Sequence, residues 1–377
     1  MIYDAIIVGG GPAGLYTGEK LSSLGYSVLI LEEHGEIGNP CHCGGLFSTH
    51  VFEIVDKYGI LHPAKRARIY SPDENSLDIG SDEIKGYVVD RVTFDRELAR
   101  RAINRGCELH LKERARKIEY PWVITNKGEY RARIIVGADG INSVVRKSIG
   151  IRAPRILGAM QVITRYEVED VEKVEIFLGN NIAPGFFAWI IPLFEDMAKI
   201  GLASYSSAWK HLRKLLKRLN VKPLAISGGG IPIGMVDRSY AHGILLVGDA
   251  ASQVKATSGG GVYPSLLSAQ CAVETINRAL EKGNYSDRFL GAYEKCWQER
   301  IGKELNRAYE IHKIYRKIRD RDFNRIIRDL KDERIIEIIN NYGDIDYPSR
   351  VVVKILKKKP TLLKYLSIPA RPYRKQL

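Results

Sequence analysis

The stretch Asp4-Ala-Ile-Ile-Val-Gly-Gly-Gly-Pro-Ala-Gly-Leu15, near the amino terminus, decides the fold. Residues 5–8 form an apolar, β-prone run, and residues 12–25 have the apolar spacing of a helix. A second apolar run, residues 27–31, ends at Glu32. The order strand, glycine turn, helix, strand predicts a βαβ unit that opens an α/β domain.

Three glycines in this turn have the spacing GxGxxG, at Gly9, Gly11 and Gly14. The first permits a tight turn, the second lets the backbone approach a pyrophosphate, and the third allows the helix to pack closely on the strand. The helix amino terminus favours phosphate charge, and Glu32 can accept hydrogen bonds from ribose hydroxyls. The alternative, a chance glycine turn beside a surface glutamate, does not explain the complete strand and helix context.

Two later segments decide which dinucleotide is expected. Gly137-Ala-Asp139-Gly-Ile-Asn-Ser-Val-Val-Arg146 and Leu245-Leu-Val-Gly248-Asp249-Ala-Ala resemble the distal fingerprints of glutathione-reductase-type flavoproteins, in the hydroxylase-like branch. The resemblance implies FAD, with Asp249 contacting ribityl or ribose hydroxyls. Arg91-Val-Thr-Phe-Asp-Arg96 resembles the segment whose arginine reaches the cofactor, and we choose Arg96 over Arg91.

Three further segments resemble archaeal geranylgeranyl reductases. They are the loop Ile37-Gly-Asn-Pro-Cys-His-Cys-Gly-Gly-Leu46, the glycine-rich loop Gln253-Val-Lys-Ala-Thr-Ser-Gly-Gly-Gly-Val-Tyr263, and Phe187-Ala-Trp-Ile-Ile-Pro192. The last departs from the family pattern by having Phe187 where Tyr is usual and Ile191 where Phe is usual. The resemblance covers residues 1 to about 280.

The resemblance implies the following site residues. Cys43 and Tyr263 are candidate catalytic residues. Phe187, Trp189 and Ile191 are candidate substrate-binding residues, and the alternative for each of these three is ordinary sheet core. The expected cofactor-binding residues are Gly9, Gly11, Ala13, Gly14, Glu32, Cys43, Gly44, Leu46, Arg96, Ala115, Asp139, Asp249, Gly261 and Val262.

The activity that the resemblance implies is saturation of isoprenoid double bonds of geranylgeranyl chains in archaeal-type lipid biosynthesis. The partners would be an isoprenoid lipid substrate and an external electron donor, which could be NADPH, ferredoxin or another carrier. Alternatives are an FAD-dependent monooxygenase, a membrane-associated electron-transfer flavoprotein, and a flavin-binding redox regulator without turnover.

The five cysteines have neither metal-site spacing nor a secreted disulfide pattern, so no metal is expected. Cys43 lies in a loop expected at the flavin, and Cys271 matches a cysteine position associated with the family. If both approach the same ring edge, they could form a redox-sensitive disulfide. The alternative is inert packing of buried thiols.

The predicted fold is a Rossmann-type FAD-binding domain interrupted by an antiparallel-sheet substrate domain, with a helical carboxy-terminal appendage. The flavin domain is assigned to residues 1–60, 90–150 and 240–283, and the substrate domain to residues 61–89 and 151–239. Apolar residues at three- and four-residue steps after residue 283 predict amphipathic helices over residues 284–377.

The formal charge of +14 is concentrated in the last region, where residues 284–377 carry 23 Lys and Arg against 13 Asp and Glu. No nucleic-acid-binding motif accompanies this charge, so nucleic acid is not expected as a partner. The basic helices could instead lie against an anionic membrane surface, and the alternative is a solvated helical cap. A buried strand at the amino terminus leaves no room for a signal segment, which predicts a cytoplasmic protein. The basic helices could place it peripherally on the inner membrane face. The densest patch is Lys354, Lys357, Lys358, Lys359, Lys364, Arg371, Arg374 and Lys375.

Overall fold

The computed structural model describes residues 2–365 of the chain. These residues form two compact units, each assembled from three separate segments. The first unit contains the residues up to Ile60, Val89–Ile156 and Ile231–Asn306, and the second contains Leu61–Val88, Leu157–Gly230 and the residues from Arg307 onward. Within the described residues, no helix is both long and apolar enough to cross a membrane.

Short runs of strands are separated by single helices as far as β18, and the rest of the described chain is helical. The strands are β1 (Ile2–Val8), β2 (Val28–Leu31), β3 (Leu46–Ser48), β4 (Ile60–Ala64), β5 (Arg66–Tyr70), β6 (Ser76–Gly80), β7 (Gly86–Val89), β8 (Glu108–His110), β9 (Ala115–Glu119), β10 (Trp122–Thr125), β11 (Glu129–Gly137), β12 (Arg155–Arg165), β13 (Lys173–Leu178), β14 (Phe187–Phe194), β15 (Met197–Ser204), β16 (Pro223–Ile233), β17 (Tyr240–Ala241) and β18 (Ile244–Leu246). The helices are α1 (Pro12–Ser23), α2 (Val51–Ile54), α3 (Arg91–Asn104), α4 (Val144–Ser148), α5 (Ala208–Arg218), α6 (Val262–Lys282), α7 (Asp287–Trp297), α8 (Lys303–Tyr315), α9 (Asp320–Leu330), α10 (Glu333–Tyr342) and α11 (Pro348–Lys358). Polar side chains begin several helices, as Asp90 does by accepting a hydrogen bond from the Val92 amide at 3.1 Å.

The first unit is built on a mostly parallel sheet with the strand order β17-β18-β11-β1-β2-β8. Val8 of β1 is in register with Leu31 of β2 and with Gly137 of β11, and Gly137 is in register with Leu246 of β18. The carboxyl ends of these four strands therefore lie in one row. Because the strand order reverses at β1, ligands of such sheets bind in the crevice beside this edge.

The second unit is built on a seven-stranded sheet with the order β16-β12-β15-β14-β13-β5-β6. Strands β12, β15, β14 and β13 pair antiparallel, as the sequence alternation predicted, whereas β13 and β5 pair parallel. Helix α5 covers one face, where Leu212, Leu215 and Leu216 pack against Val162, Ile190 and Ile200 of the sheet.

The carboxy-terminal region consists of helices, as predicted, and these helices are divided between the two units. In the first unit, the side chains of Tyr293 and Trp297 on α7 bond to Gln253 and Ser239. In the second unit, Arg328 pairs with Asp73 and the Asn340 side chain accepts from the Gly80 amide. The apolar stripes of these helices are thus buried against the two sheet units. Residues 231–239, which were predicted to lie in the substrate domain, belong to the first unit. Three residues of the predicted basic patch, Arg371, Arg374 and Lys375, lie outside the described residues.

Candidate functional site

The turn after β1 has the close packing that its three glycines predicted. A β-carbon on Gly9, whose φ is +110°, would collide with the Ala138 carbonyl oxygen, and one on Gly14 would collide with the Gly9 carbonyl oxygen. A β-carbon on Gly11 would meet no atom within 4 Å. Gly11 therefore faces open space at the amino terminus of α1, where a phosphate can approach the backbone.

Glu32 lies directly beyond β2, and its carboxylate is held from both sides. Its Oε2 accepts from the Gly10 amide at 2.7 Å, and its Oε1 accepts from the His34 amide at 2.8 Å. The carboxylate is therefore fixed beside the glycine turn. This is the position from which it can accept hydrogen bonds from ribose hydroxyls.

The turn after β11 is organised by Asp139 and Arg146. Asp139 Oδ2 accepts from the Val144 amide at 2.7 Å and from the Val145 amide at 3.2 Å, and no hydrogen-bond partner of its buried Oδ1 is found among the described residues. Burial raises the pKa of Asp139, against hydrogen bonds that lower it. The buried Arg146 guanidinium donates to the Ala250 carbonyl at 3.0 Å and so joins this turn to the one after β18.

The turn after β18 is supported by a buried hydrogen-bond chain that sequence reasoning missed. The Gly248 amide donates to Gln253 Oε1 at 2.7 Å, and Gln253 Nε2 donates to the Tyr293 hydroxyl at 2.9 Å. The Tyr293 hydroxyl donates in turn to the Leu246 carbonyl at 2.6 Å. Because every member is buried and satisfied, the chain fixes the backbone that presents Asp249.

The Asp249 carboxylate has no hydrogen-bond donor among the described residues, although the backbone around it is rigid. A β-carbon on Gly261 would lie 3.2 Å from its Oδ1, so Gly261 leaves space next to the carboxylate. Burial raises the pKa of Asp249 to about 6, and the positive charge of Arg91 acts in the opposite direction. The cofactor hydroxyls expected here would supply the missing donors.

The glycine-rich loop leads directly into α6. The Gly259 amide donates to the Lys255 carbonyl at 2.8 Å, and Gly259 adopts a φ of +72°. Gly261 and Val262 stand at the amino terminus of this 21-residue helix. Tyr263 is buried beside His50, with ring centroids 5.4 Å apart. Its assignment as a catalytic residue stays a prediction.

Of the two candidate arginines, Arg91 is the one inside the site. Its guanidinium donates to both oxygens of Asp95, at 2.8 and 3.0 Å, and lies 5.6 Å from the ring centre of Phe47. Burial lowers the pKa of Arg91, but the charges of Asp95 and of Cys43 outweigh burial and raise it. Arg96 is exposed and pairs with Glu36 at 3.1 Å. The choice of Arg96 over Arg91 as the arginine that contacts the cofactor stays a prediction.

The remaining predicted cofactor residues divide into two groups. Ala13 lies in the turn region, because a β-carbon on Gly248 would lie 3.5 Å from the Ala13 β-carbon. Cys43 lies near Arg91, and the Gly45 amide contacts the Cys43 Sγ at 3.4 Å. The loop that also contains Gly44 and Leu46 therefore lies near Arg91. Ala115 is buried at the start of β9 in the core cluster of the sheet.

The predicted substrate residues share one face of the second unit's sheet. Because side chains alternate along a strand, Phe187, Trp189 and Ile191 point away from the face covered by α5. The Trp189 indole lies over Gly201, where a β-carbon would be 2.6 Å from the ring. The same face carries two buried polar side chains, Gln161 and Lys199. Ile191 is buried, whereas Phe187 and Trp189 are partly exposed.

The predicted pairing of Cys43 with Cys271 is wrong. Cys271, which is fully buried on α6, forms a disulfide with Cys296 on α7. The reason is helix geometry: the two helices pack against each other, with a Cα to Cα distance of 5.8 Å between the cysteines. Sequence reasoning did not pair Cys296, because only the packing of α7 on α6 brings it to Cys271.

Replacing Cys296 with serine should abolish the mass difference between oxidised and reduced protein, which corresponds to two hydrogens. Cys43→Ser should retain that difference. The disulfide closes a chain segment with a sequence separation of 25, so its loss should lower the free energy of unfolding by about 3 kcal/mol. Intact-mass spectrometry and urea unfolding measure the two effects. Equal masses of oxidised and reduced wild-type protein would contradict the pairing.

The residues present fit a bound FAD. The space at Gly11, the buried Oδ1 of Asp139 and the donor-free carboxylate of Asp249 all lie in the turns that follow one edge of the sheet. Helix α1 begins in the first of these turns, and α6 begins after Gly261, which lies beside Asp249; both helix amino termini favour negative charge. This is the donor and acceptor set that a dinucleotide with ribose hydroxyls and a pyrophosphate requires.

Comparison with known proteins agrees with this geometry. The family model described as FAD binding domain matches residues 2–213. An uncharacterised protein of Methanocaldococcus jannaschii is 34% identical, over 94% of this chain and 95% of its own length. Digeranylgeranylglycerophospholipid reductase 2 of Methanopyrus kandleri is 32% identical, over 97% of this chain and 98% of its own length.

Solved structures give the same result. The crystal structure of a geranylgeranyl bacteriochlorophyll reductase-like protein from Thermoplasma acidophilum superposes with a TM-score of 0.85 and 25% identity, over 97% of this chain and 98% of that one. The fold and the cofactor are thus settled, and the cofactor is FAD. The chain belongs to the digeranylgeranylglycerophospholipid reductase family of FAD-binding proteins.

Proposed function

We propose that this protein is an FAD-dependent reductase that saturates the double bonds of geranylgeranyl chains in archaeal-type lipids. The observation that carries the proposal is the match, over nearly the whole chain, to proteins named digeranylgeranylglycerophospholipid reductase. The geometry of the turns supports the proposal, because Gly11 leaves space for a phosphate and backbone amides hold the carboxylates of Glu32 and Asp139 in place.

FAD, when bound and reduced, supplies a hydride for addition to an alkene carbon. The chain's own contribution is to bind the cofactor, orient the substrate and exclude water. Glu32 and Asp249 offer carboxylate oxygens to cofactor hydroxyls, and the buried chain from Gly248 through Gln253 to Tyr293 keeps Asp249 in place. Preorganisation of this kind lets the bound cofactor keep a single orientation.

An isolated alkene offers no polar group for recognition, so specificity must come from shape and apolar area. The sheet face that bears Phe187, Trp189 and Ile191 supplies aromatic and aliphatic surface for an isoprenoid chain. The electron donor is an external carrier such as NADPH or ferredoxin, and the protein acts as a peripheral protein at the cytoplasmic membrane face, where such a lipid resides.

Anaerobic incubation of the dithionite-reduced protein with a detergent-dispersed geranylgeranyl phospholipid tests the proposal. A gain of hydrogens in the lipid mass, with reoxidation of the flavin absorbance, is the expected result. Insertion of oxygen on exposure to air would identify a monooxygenase instead. An unchanged lipid, with flavin that reoxidises only in air, would overturn the reductase assignment.

Replacing Trp189 with alanine should raise KM for the lipid by about 30-fold, since removing a largely buried aromatic side chain costs about 2 kcal/mol of apolar contact. The flavin content should stay at the wild-type level. Steady-state assays in detergent, with the flavin absorbance as a loading check, measure both quantities. The matched control is Trp122→Ala, because Trp122 is exposed on β10 of the first unit. An unchanged KM in W189A would remove Trp189 from the substrate surface.

A further inference from the structure

A forty-residue segment of the second unit and its flank, residues 197–236, contains seven Lys and Arg and no Asp or Glu. In a chain where acidic and basic residues are otherwise interspersed, such a segment creates a local field of one sign. Six of the seven basic residues lie in or directly after α5. This part of the fold has no role in the flavin site.

Helix α5 separates its residues onto two faces. Leu212, Leu215 and Leu216 are buried against the sheet. The opposite face carries exposed basic side chains, namely Lys210, Arg213, Lys214, Lys217 and Arg218. The apolar face is therefore occupied by the protein core, and only the basic face is available to a partner.

Most of these charges lack a carboxylate partner. Arg218 pairs with Glu74 at 2.8 Å. Among the described residues, no ion pair forms to Lys210, Arg213, Lys214 or Lys217, nor to Lys222 in the loop after the helix. Five basic side chains thus stand on one surface without a carboxylate partner, which gives this surface a positive field that attracts anions.

Large apolar side chains lie next to this charge. Trp209, at the start of α5, is 37% exposed, and Leu224 and Ile226, at the start of β16, are 62% and 53% exposed. A β-carbon on Gly228 would contact Met160, which packs against the core beneath α5. Because side chains alternate along a strand, Leu224 and Ile226 therefore point to the α5 side of the sheet.

We propose that the exposed residues of α5 and the start of β16 form a docking surface for an anionic lipid bilayer. This α5 surface consists of Trp209, Lys210, Arg213, Lys214, Lys217, Lys222, Leu224 and Ile226. The basic side chains bind headgroup phosphates, and Trp209, Leu224 and Ile226 enter the interfacial region. The inference deepens the proposed function, since a reductase of membrane lipids must reach its substrate at a bilayer.

The apolar side chains distinguish a bilayer from a nucleic acid as the partner. Nucleic-acid surfaces require phosphate-binding cations and, for single strands, aromatic side chains that stack on bases, but exposed aliphatic side chains gain nothing there. Leu224 and Ile226 are aliphatic and among the most exposed large apolar residues of the described chain. A bilayer interface is the partner for which both sets of side chains are favourable.

The carboxy-terminal helices are a weaker candidate for the same contact. Lys364 pairs with Asp329 at 3.1 Å, and Lys359 donates to the Asp329 carbonyl at 2.8 Å. Lys354 lies over the ring of Tyr342, 3.7 Å from its centre. Intramolecular contacts therefore engage part of the charge that the sequence assigned to a membrane surface.

Flotation of the FAD-loaded full chain with phosphatidylglycerol-rich vesicles and with pure phosphatidylcholine vesicles tests the proposal. The wild type should bind the anionic vesicles and dissociate at high salt. The variant K210Q/R213Q/K214Q/K217Q should bind about 600-fold more weakly, since each of the four basic side chains near an anionic surface contributes roughly a fivefold gain. The variant L224S/I226S should bind more weakly at every salt concentration.

The matched control, K331Q/K354Q/K357Q/K358Q, removes the same charge from the carboxy-terminal helices and should bind the anionic vesicles as the wild type does. The proposal would be overturned if this control lost vesicle binding while the α5 variant kept it. It would also be overturned if the protein bound duplex DNA more tightly than vesicles and L224S/I226S left that DNA binding unchanged. Turnover of detergent-dispersed lipid should be the same in all variants. Because vesicle binding is measured without turnover, failure of this proposal and failure of the reductase assignment can be told apart.

Discussion

Replacing Gly11 with valine is expected to give a folded protein that purifies without flavin. A β-carbon at this position meets no protein atom within 4 Å, and the backbone there is extended, with φ −82° and ψ 176°, so valine is sterically acceptable to the chain itself. The added isopropyl group instead fills the space in which the pyrophosphate must approach the amino terminus of α1. Absorbance in the flavin bands and the thermal unfolding midpoint measure the two halves of this prediction.

Two further glycine variants make the test specific. A β-carbon on Gly128 also meets nothing within 4 Å, but Gly128 lies in the turn between β10 and β11, so G128V should retain full flavin. At Gly9 a β-carbon would collide with the Ala138 carbonyl oxygen, so G9A should lose both flavin and stability. A yellow G11V protein, with as much FAD as the wild type, would show that the cofactor does not lie at this turn.

The flavin-binding fold follows from the sequence because its signals are local. The GxGxxG turn, the flanking apolar runs and the terminal Glu32 together specify one βαβ unit, and β1, α1 and β2 are found where that pattern predicted them. The alternation over residues 158–202 likewise predicted the antiparallel strands β12 to β15. These features depend on short-range periodicity, which a single sequence retains.

The parts of the site that the sequence did not specify depend on contacts between distant segments. Arg91 reads as an exposed residue at the start of a helix, and only the fold brings it to Asp95, Phe47 and the neighbourhood of Cys43. Likewise, the supporting chain from Gly248 to Tyr293 joins residues more than forty positions apart. No periodicity in the sequence carries that information.

The number of Lys and Arg in a region likewise does not show which of these side chains are paired in the fold. The excess of Lys and Arg after residue 283 is obvious by counting, yet several of those side chains have partners in the fold. The basic segment around α5 is shorter but contains no acidic residue, and five of its seven basic side chains form no ion pair among the described residues. We therefore favour α5 over the carboxy-terminal helices as the membrane surface because of the charges that the fold leaves unpaired, and not because of the net charge of a region.

Replacing Asp249 with asparagine should stabilise the flavin-free protein at neutral pH. The folded-state pKa of Asp249 is about 6, above its usual 3.8, because burial disfavours the ionised form. Between these two values the folded protein binds a proton that the unfolded chain does not, so the contribution of Asp249 to the free energy of unfolding falls as pH rises from about 4 to about 6. D249N does not pay the free-energy cost of ionising a buried carboxyl group, so its free energy of unfolding at neutral pH should be higher by about 2 kcal/mol. This value is smaller than the whole pKa shift of Asp249 implies, since the carboxylate is partly exposed.

The same substitution should weaken FAD binding by about 10- to 100-fold, because an ionised acceptor for cofactor hydroxyls is replaced by a neutral amide. Stability and cofactor affinity therefore move in opposite directions at this one residue, which a purely structural role of Asp249 would not produce. Urea unfolding of the apoprotein across the pH range and fluorescence titration with FAD measure the two effects. The control is D237N, which removes an exposed carboxylate from the same unit and should change neither. If D249N lowered the stability of the apoprotein at neutral pH, or bound FAD as tightly as the wild type, Asp249 would be a residue that holds the turn rather than the cofactor.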